Sequence, residues 1–426
     1  ELHWRSMVGD HERAMLSGSP VFHDGVIYQP VSSWEVFWAG NPFYACCTFR
    51  GSVAALDAVD GKIIWRGHTI EEEATVQIER WLFPDHLGPS GAPVWSQPTL
   101  DLARGRIYVG TGENYSAPPT DTSDAILAFD MKTGELLWHW QSTHGDAWNI
   151  ACVTKYHINC PPDHGEDLDF GAPPILATVG GDDIILAGQK SGRVFALDPD
   201  NQGKLLWTAV AGAGGKAGGV HFGMAVNPQR NALYVPISDR PVGDLLGNSH
   251  AGTPDPSLHA LDIATGKTLW RTGAPGDCTA RGPGSAAAPI EDCFPGFSAA
   301  VTVTDNIVYA PTLDGVLRAF HAGDGRQLWS WDTLGRHPDF PGLADFRRAE
   351  RPGAGSVGRF DGGSGDSPER EARGIGQRPG GGLDGPRWDP SGFFPGGFRS
   401  RTWGGRGVCR RPHRGNRRHG RGLGPG

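Results

Sequence analysis

The string ALDAVDGKIIW at residues 55–65 returns four times, as AFDMKTGELLW at 128–138, ALDPDNQGKLLW at 196–207, ALDIATGKTLW at 260–270 and AFHAGDGRQLW at 319–329. The first four residues, ELHW, match the last four positions of the string. The tryptophans that end it are therefore spaced 61, 73, 69, 63 and 59 residues apart. Repetition at this period predicts a solenoid or a propeller.

Each string predicts two short strands joined by a tight turn. A glycine supplies the positive φ that the turn needs, and the acidic residue before it can cap the turn. Strand-like runs precede the strings, such as GRIYVGT at 105–111, DIILAGQ at 183–189 and NIVYAPT at 306–312. One large ring per repeat is suited to packing between neighbouring units. The pattern predicts an all-β chain, a β-propeller of four-stranded blades docked by tryptophan. A β-helix has shorter repeats.

The composition excludes several functional classes. The chain has 426 residues and a formal charge of −8, which argues against a nucleic-acid partner because phosphate binding needs a basic face. No apolar run approaches the length of a membrane span. The 64 glycines, 34 prolines and 15 tryptophans are typical of a turn-rich β protein with large aromatic side chains.

The C-terminal part differs from the rest. Residues 351–426 contain 23 glycines, 15 arginines, no lysine and six acids, for a local charge of +9, so residues 1–350 carry −17. The C-terminal part has no periodic apolar pattern and cannot bury enough surface to offset its ordering entropy. We therefore expect residues 1–335 to form the propeller and residues 336–426 to be a disordered tail. An arginine- and glycine-rich tail can bind nucleic acid, but arginine without lysine is also typical of a GC-rich gene translated out of frame, which we favour.

The chain starts inside a repeat and shows no signal peptide, so we expect a fragment of a longer propeller, a partial ring. Six of the seven cysteines lie in the repeat region, which suits an oxidising compartment. Cys152/Cys160 and Cys278/Cys293 are each close enough in sequence to close a loop. For the adjacent Cys46 and Cys47, a trans peptide holds the Cα atoms about 3.8 Å apart, which is short for a disulfide. The residues alone leave these two free to pair elsewhere or to stay reduced.

The repeats, Cys46-Cys47 and the segments between them together resemble the alcohol dehydrogenases that depend on pyrroloquinoline quinone (PQQ), and within them the polyvinyl alcohol dehydrogenase branch. The resemblance covers nearly all of residues 1–335 in order. It is carried by SGSPVFHDGVIYQPVSSWE (17–35), CCTFRGSVAALD (46–57), GPSGAPVWSQPTLD (88–101), YVGTGENYSAPPTDTSDAILAFD (108–130), HGDAWNIAC (144–152), LAGQKSGRVFALDPD (186–200) and GGVHFGMA (218–225).

By this resemblance, the intact fold is an eight-bladed propeller that buries the quinone near its axis. The family's vicinal disulfide, which packs on one face of the quinone, corresponds to Cys46-Cys47. The tryptophan on the other face corresponds to Trp95 in GAPVW. Arg50 matches the arginine that pairs with a quinone carboxylate, and His221 stands where the family presents an amide to the cofactor.

The resemblance also implies a metal and a cation beside the reactive carbonyl. Lys190, in GQKSG, matches the cation near the quinone carbonyl oxygens. Glu113 or Asn114, in GTGEN, stands where the family supplies an oxygen ligand to Ca²⁺, a hard cation that prefers such ligands. Ca²⁺ and the lysine polarise the carbonyl that accepts a hydride, while a carboxylate takes the hydroxyl proton of the alcohol.

The resemblance leaves three candidates for that carboxylate. PPTDTSDAIL offers Asp121 or Asp124 after the glycine-rich turn, and Asp146, in HGDAWN, is a more distant one. That segment departs from the family's Trp-Asp pair, because Asn149 follows Trp148. Without the resemblance, each candidate has a structural interpretation: the aspartates as turn caps or solvated loop acids, Trp95 as a blade wedge, Lys190 as a turn lysine, Arg50 as the partner of a surface acid and His221 as a hydrogen-bonded histidine.

The resemblance therefore predicts a periplasmic or secreted quinoprotein that oxidises secondary alcohol groups, including polymer-borne ones, and passes electrons to a cytochrome c. The alternatives are a non-catalytic propeller of the same repeats that serves as a scaffold in the bacterial envelope, or an inactive fragment. A scaffold needs neither Cys46-Cys47 nor Trp95 and Lys190, so these residues favour the enzyme.

Overall fold

The computed structural model describes residues 2–240, 253–275 and 294–333, and within them the chain is built from antiparallel sheets. The first sheet follows the order β1-β3-β4-β5, with β2 also paired to β3. Its strands are β1 (Ala14–Met15), β2 (Val21–His23), β3 (Val26–Ser33), β4 (Ser52–Asp57) and β5 (Ile63–His68). Two short strands, β6 (Thr75–Ile78) and β7 (His86–Gly88), then pair with each other.

The second sheet has the order β13-β12-β10-β9, and one further pair joins β8 to β11. These strands are β8 (Ser90–Gly91), β9 (Thr99–Asp101), β10 (Arg106–Gly110), β11 (Asn114–Ser116), β12 (Ala125–Asp130) and β13 (Leu136–Gln141).

Three more four-stranded sheets follow, each with its strands in chain order. The third contains β14 (Ile175–Val179), β15 (Asp182–Gly188), β16 (Arg193–Asp198) and β17 (Lys204–Val210). The fourth contains β18 (Ala225–Asn227), β19 (Ala232–Ile237), β20 (Ser257–Asp262) and β21 (Thr268–Gly273). The fifth contains β22 (Thr302–Val303), β23 (Ile307–Pro311), β24 (Val316–His321) and β25 (Gln327–Asp332).

Consecutive sheets pack face to face, which places the core between them rather than inside any one of them. In the first four sheets, the two central strands are buried on both faces, so alternate side chains enter different cores. Tyr108 and Ile185, for example, lie in the core between the second and third sheets, whereas Ile107 faces the first sheet and Leu186 faces the fourth. This arrangement confirms the predicted propeller of four-stranded, tryptophan-docked blades.

The tryptophan that ends each string reaches across to the next sheet. Four indole Nε1 atoms donate to the backbone carbonyl of the fourth residue of the next string: Trp4 to Ala58 (3.0 Å), Trp65 to Met131 (3.2 Å), Trp207 to Ile263 (3.1 Å) and Trp270 to Ala322 (2.9 Å). The ring lies on the turn glycine of that string. An added Cβ on Gly134, whose φ is +73°, would meet the Trp65 ring at 2.3 Å. The turn glycine therefore serves both the turn and the contact between sheets.

The remaining polypeptide is mostly loop. The one α-helix of the described residues is a single turn, α1 (Glu35–Trp38), and short 3₁₀ turns cover Ile150–Val153 and Pro228–Arg230. Within the described ranges, no helix is long and apolar enough to cross a membrane. Cys152 and Cys160 form a disulfide, as their spacing predicts. Cys278/Cys293 and the tail at 336–426 lie outside the described residues.

Candidate functional site

Three carboxylates and one lysine meet between the second and third sheets. Glu113 follows β10 and Lys190 follows β15, which are the equivalent strands of their sheets, so the two turns leave at the same end. Asp167 and Asp169 come from the loop that joins β13 to β14. Ligand atoms of Glu113, Asp167 and Asp169 lie within 4.8 Å of one another.

Lys190 holds this group together. Its Nζ donates to Asp167 Oδ1 at 2.7 Å and to Asp169 Oδ2 at 2.8 Å, and its backbone N–H donates to the Asp169 carbonyl at 3.0 Å. The Glu113 backbone N–H donates to Asp169 Oδ1 at 3.1 Å. All four residues are buried, so the charges interact in a medium that screens them poorly.

One lysine does not balance three buried carboxylates. Burial and the charges of Asp169 and Asp167 raise the pKa of Glu113 well above its usual value. Burial raises the pKa of Asp167 to about 8 despite Lys190. For Asp169, burial is outweighed by the Lys190 charge and by hydrogen bonds from Glu113 and Lys190, which lower its pKa. The group therefore concentrates more negative charge than Lys190 balances, which favours binding of a second cation.

Two further carboxylates lie near this group. Asp146 Oδ2 accepts from the Leu168 backbone N–H at 3.2 Å, and burial followed by the charge of Asp169 raises its pKa to about 6. Asp124 is fully buried, and neither carboxylate oxygen has a hydrogen-bond partner among the described residues. Burial and the Asp146 charge raise the pKa of Asp124 well above its usual value.

The structure separates the other predicted acid, Asp121, from these groups. Its side chain is 73% exposed and lies 3.3 Å from His139 Nε2 on the protein surface. The structure thus places Asp121 apart from the buried carboxylates, and its role as a base stays a prediction. Asn114 is buried nearby, but Thr120 donates its backbone N–H to Asn114 Oδ1 at 2.7 Å. The Asn114 amide therefore orders the loop and is already hydrogen-bonded.

Cys46 and Cys47 are bonded to each other, and both are fully buried. Their backbone pairs with Leu87 through two hydrogen bonds of 2.8 and 3.0 Å. The carboxylate of Glu35, also fully buried, accepts from the backbone N–H groups of Thr48 and Phe49 and so fixes the chain that leaves the disulfide. The adjacent cysteines form the vicinal disulfide that the resemblance implies.

Asn149 links the disulfide to the neighbouring loops. Its Nδ2 donates to the carbonyls of Tyr115 and Asn159 at 2.7 and 2.8 Å and lies 4.0 Å from Cys46 Sγ. Its Oδ1 accepts from the Ala151 backbone N–H and caps the 3₁₀ turn. An amide is needed here because the residue must donate as well as accept, which a carboxylate cannot do.

Trp95 presents its ring beside Lys190, whose Nζ lies 5.4 Å from the ring centroid. His221 and Phe222 stack on each other at 4.2 Å, and both meet Trp95 edge-on at about 6 Å. His221 Nδ1 lies 3.0 Å from Ser298 Oγ. Burial and then the charge of Lys190 lower the pKa of His221 to about 4, so the imidazole is neutral at pH 7.

Arg50 lies at the edge of this region. Its Nη1 donates to the Glu71 carbonyl at 2.7 Å, and Nη2 lies 3.8 Å from Glu73 Oε1. Its side chain is largely buried, and the guanidinium has donors to spare for a carboxylate ligand.

Sequence analysis missed Asp167 and Asp169. They lie in a loop between residues 154 and 174 that has no periodic pattern. Neither aspartate follows a tryptophan, so the Trp-Asp pair of the family did not identify them. The Asp-x-Asp spacing was the available signal, since two acids in one short loop are candidate ligands for a hard cation. Their importance follows from Lys190, which lies more than twenty residues away in sequence.

Two family models match the chain. The PQQ model, described as the β-propeller domain of glucose, ethanol and alcohol dehydrogenases, matches residues 38–210. A second PQQ-repeat model, described as the outer membrane protein assembly factor BamB, matches residues 245–348. All four members of the carboxylate and lysine group, and the vicinal disulfide, fall within the first match.

Two polyvinyl alcohol dehydrogenases are similar in sequence to this chain. A polyvinyl alcohol dehydrogenase from a Pseudomonas species is 37% identical over 335 residues, or 78% of this chain and 49% of the relative. Another from a Sphingopyxis species is 35% identical over 333 residues, with the same coverage. The chain thus spans about half the length of these relatives.

The solved structure of the quinohemoprotein alcohol dehydrogenase from Comamonas testosteroni superposes with a TM-score of 0.50 at 20% identity, covering 75% of this chain and 52% of that one, and supports the fold. The chain belongs to the family of PQQ-dependent quinoprotein β-propellers that includes the polyvinyl alcohol dehydrogenases.

Proposed function

We propose that the protein of which this chain is part oxidises secondary alcohol groups, including those of polyvinyl alcohol-like polymers, with PQQ as cofactor. The observation that carries the proposal is the buried group of Glu113, Asp167, Asp169 and Lys190 beside the Trp95 ring. Identity of 35–37% to polyvinyl alcohol dehydrogenases supports the same activity.

The donor set fits a divalent metal ion. Three carboxylates and one ammonium leave a formal charge of −2 when all are ionised, and a hard cation that prefers oxygen ligands would balance it. Glu113 and Asp167 would hold this ion, which we take to be Ca²⁺, and its charge would lower their pKa values. Asn114, the other ligand that the sequence suggested, would then support the metal from the adjoining loop.

The surroundings also fit a flat aromatic quinone. Trp95 supplies a ring to stack on, and Arg50 supplies spare donors for a carboxylate. The vicinal disulfide Cys46–Cys47 would lie on the other face of the quinone, as the resemblance implies. His221 is neutral and can offer a hydrogen bond without adding charge. When bound, PQQ supplies the hydride acceptor that no amino-acid side chain provides.

The protein's own residues would manage the proton. Asp169 is our candidate proton acceptor because Lys190 and the Glu113 backbone N–H hold its carboxylate ionised, so it is free of a proton before the alcohol arrives. Lys190 stays protonated beside it and can donate a hydrogen bond to a developing negative charge. Asp146 and Asp124, which the sequence offered as bases, lie near Asp169, and we assign them a supporting electrostatic role.

The test is a titration of the chain with PQQ in the presence and absence of Ca²⁺. Quenching of tryptophan fluorescence measures the binding. Saturable quenching that needs Ca²⁺ and is lost in Trp95→Ala and in Cys46→Ser/Cys47→Ser is the expected result. Trp329→Phe, which removes an exposed ring of the fifth sheet, is the matched control and should quench as the parent does. Folded protein without saturable quenching would contradict the proposal.

The second candidate function is an envelope scaffold without cofactor. The match of residues 245–348 to the outer membrane assembly factor favours it, because that segment holds repeats and none of the carboxylate and lysine group. A scaffold would keep its fold in all the variants above and bind no PQQ. Alcohol-dependent dye reduction by the loaded protein would distinguish an active enzyme from either a scaffold or an inactive fragment.

The cell compartment and the electron acceptor complete the proposal. The disulfides Cys46–Cys47 and Cys152–Cys160 suit the periplasm or the exterior, where thiols oxidise. We propose a cytochrome c as acceptor. Reduction of added cytochrome c by the loaded protein and isopropanol, followed as absorbance, tests this step.

A further inference from the structure

A cleft of about 780 Å³ lies between the first and second sheets, apart from the carboxylate and lysine group. Residues 69–72, which follow β5, line one side, and β13 lines another through Leu136 and His139. The segments around Pro89 and 118–122 complete it. We infer that this cleft binds a segment of an uncharged polyol chain, a hydrocarbon backbone that carries secondary hydroxyl groups. The inference rests on the proposed function and assigns its polymeric substrate a binding place outside the carboxylate and lysine group.

Half of the lining suits the hydrocarbon part of such a chain. Pro89, Pro118, Pro119 and Leu136 line the cleft with apolar side chains, and Ile70 adds another. Proline has no backbone N–H, so these walls present carbon surface rather than donors. An extended hydrocarbon backbone can lie against them without leaving their polar groups unpaired.

The other half suits hydroxyl groups. The Asp121 carboxylate is 73% exposed and paired with His139, and the side chains of Glu71 and Glu72 are exposed nearby. Thr122 adds a hydroxyl that lies 3.1 Å from that of Thr120. Carboxylates accept hydrogen bonds from neutral hydroxyls, whereas an anionic polymer would be repelled by three acids. The lining therefore selects a neutral polyol over a polyacid.

The cleft adjoins the candidate site through two hydrogen-bonded residues. Arg50 Nη1 donates to the carbonyl of Glu71 in the cleft wall at 2.7 Å. Asn114 Nδ2 donates to Thr120 Oγ1, in the opposite wall, at 3.1 Å. A polymer segment held here would therefore lie beside the site that the proposed function assigns to the quinone.

The volume favours an oligomer over a small alcohol. Pockets for drug-sized ligands run from about 300 to 1,000 Å³, and this cleft lies in the upper part of that range. An alcohol of three carbons would leave most of it filled with water. A chain of several repeat units would fill it and bury apolar carbon against the proline and leucine walls.

The experiment measures binding of a short vinyl alcohol oligomer to the cofactor-free chain by calorimetry. Leu136→Trp fills the cleft and should weaken binding about tenfold or more. Leu137→Trp is the matched control, since Leu137 is the next residue of β13 and faces away, 41% exposed. It should bind as the parent does. Asp121→Ala, a surface change, is the second variant and should also weaken binding.

Three results would overturn the inference: no binding by the folded parent chain, unchanged binding in both Leu136→Trp and Asp121→Ala, or equal binding of a polyethylene glycol of the same length. In the PQQ-loaded protein, Leu136→Trp should raise KM for the oligomer and leave KM for isopropanol unchanged. Because the calorimetry uses no cofactor, a failure of PQQ binding would contradict the proposed function while leaving this measurement intact.

Discussion

Lys190 is the residue on which the candidate site depends. Its ammonium contacts two carboxylates that are themselves buried, so removing it would leave negative charge in a poorly solvated space. Its own pKa is raised because Asp167, Asp169 and Glu113 outweigh the lowering effect of burial. Lys190 therefore stays charged at any physiological pH and acts as a fixed donor, while the carboxylates around it adjust their protonation.

Replacing Asp169 with asparagine should abolish most turnover without preventing cofactor binding. The amide keeps the size of the side chain but cannot take a proton, and general-base catalysis contributes about 10²- to 10⁴-fold. Single-turnover dye reduction with isopropanol, compared with PQQ quenching in the same variant, measures the two effects separately. Asp146→Asn is the comparison and should lose less activity. If Asp146→Asn lost more than Asp169→Asn, Asp146 would be the better candidate for the base.

His221 predicts a pH dependence of stability. Its pKa is about 4 in the folded chain, against about 6.5 when unfolded, so the unfolded state binds more protons between these values. Above pH 6.5, His221 does not lower the free energy of unfolding. As the pH falls from 6.5 toward 4, the free energy of unfolding decreases by at most about 3 kcal/mol because of this group.

The His221→Asn variant should therefore lose part of the fall in stability between pH 6.5 and pH 4, measured by urea denaturation at several pH values. His259, a second buried histidine with a pKa of about 4, lies in the fourth sheet and should keep its own share of the effect. An unchanged pH dependence in His221→Asn would show that the imidazole is not buried neutral.

At the scale of the element, the repeated turn combines two requirements in one glycine. Gly134 has φ +73°, where other residues are strained, and it also carries the ring of Trp65. Gly105 has φ +64° but no atom within 4 Å of an added Cβ. Both positions therefore need a residue that adopts positive φ, but only Gly134 contacts a tryptophan ring.

Gly134→Ala should destabilise the chain more than Gly105→Ala does. Both substitutions force an alanine into left-handed backbone, at about 1–2 kcal/mol. Only Gly134→Ala also displaces a tryptophan, which adds about 1–3 kcal/mol of overpacking. Urea denaturation of the two variants measures the difference. Equal losses of stability would mean that Trp65 moves aside freely and that the contact between sheets contributes little.

The elements that repeat were predictable from the sequence, and those that do not repeat were not. The strands, the turn glycines and the docking tryptophans recur five times, so each supports the assignment of the others. The Asp167–Asp169 loop occurs once, and its role depends on a contact with Lys190 in another sheet. Asp121 and Asp124 follow the same glycine-rich turn, yet Asp124 is fully buried and Asp121 is exposed, a difference that the spacing in the sequence did not predict.

At the scale of the whole molecule, the sheets are joined in series by the tryptophans. Of the five tryptophans that another string follows, four donate their indole N–H to a backbone carbonyl of that string, whereas Trp138 Nε1 has no hydrogen-bond partner among the described residues. The matching carbonyl, that of Pro199, instead accepts from Arg106 Nη1 at 2.6 Å. The contact between the second and third sheets, which also bounds the carboxylate and lysine group, therefore uses an arginine where the other contacts use an indole.

This difference predicts unequal effects of one substitution. Trp270→Phe removes a ring and a hydrogen bond of 2.9 Å, leaving the Ala322 carbonyl with one donor fewer, whereas Trp138→Phe removes only part of a ring. The hydrogen bond contributes about 1 kcal/mol, so Trp270→Phe should lose about that much more free energy of unfolding. Urea denaturation measures both, and Trp207→Phe, whose indole donates to Ile263, should behave like Trp270→Phe. If all three variants lost the same free energy of unfolding, packing of the rings alone would join the sheets. In that case Arg106→Lys, which changes the donor to the Pro199 carbonyl, should leave the free energy of unfolding unchanged.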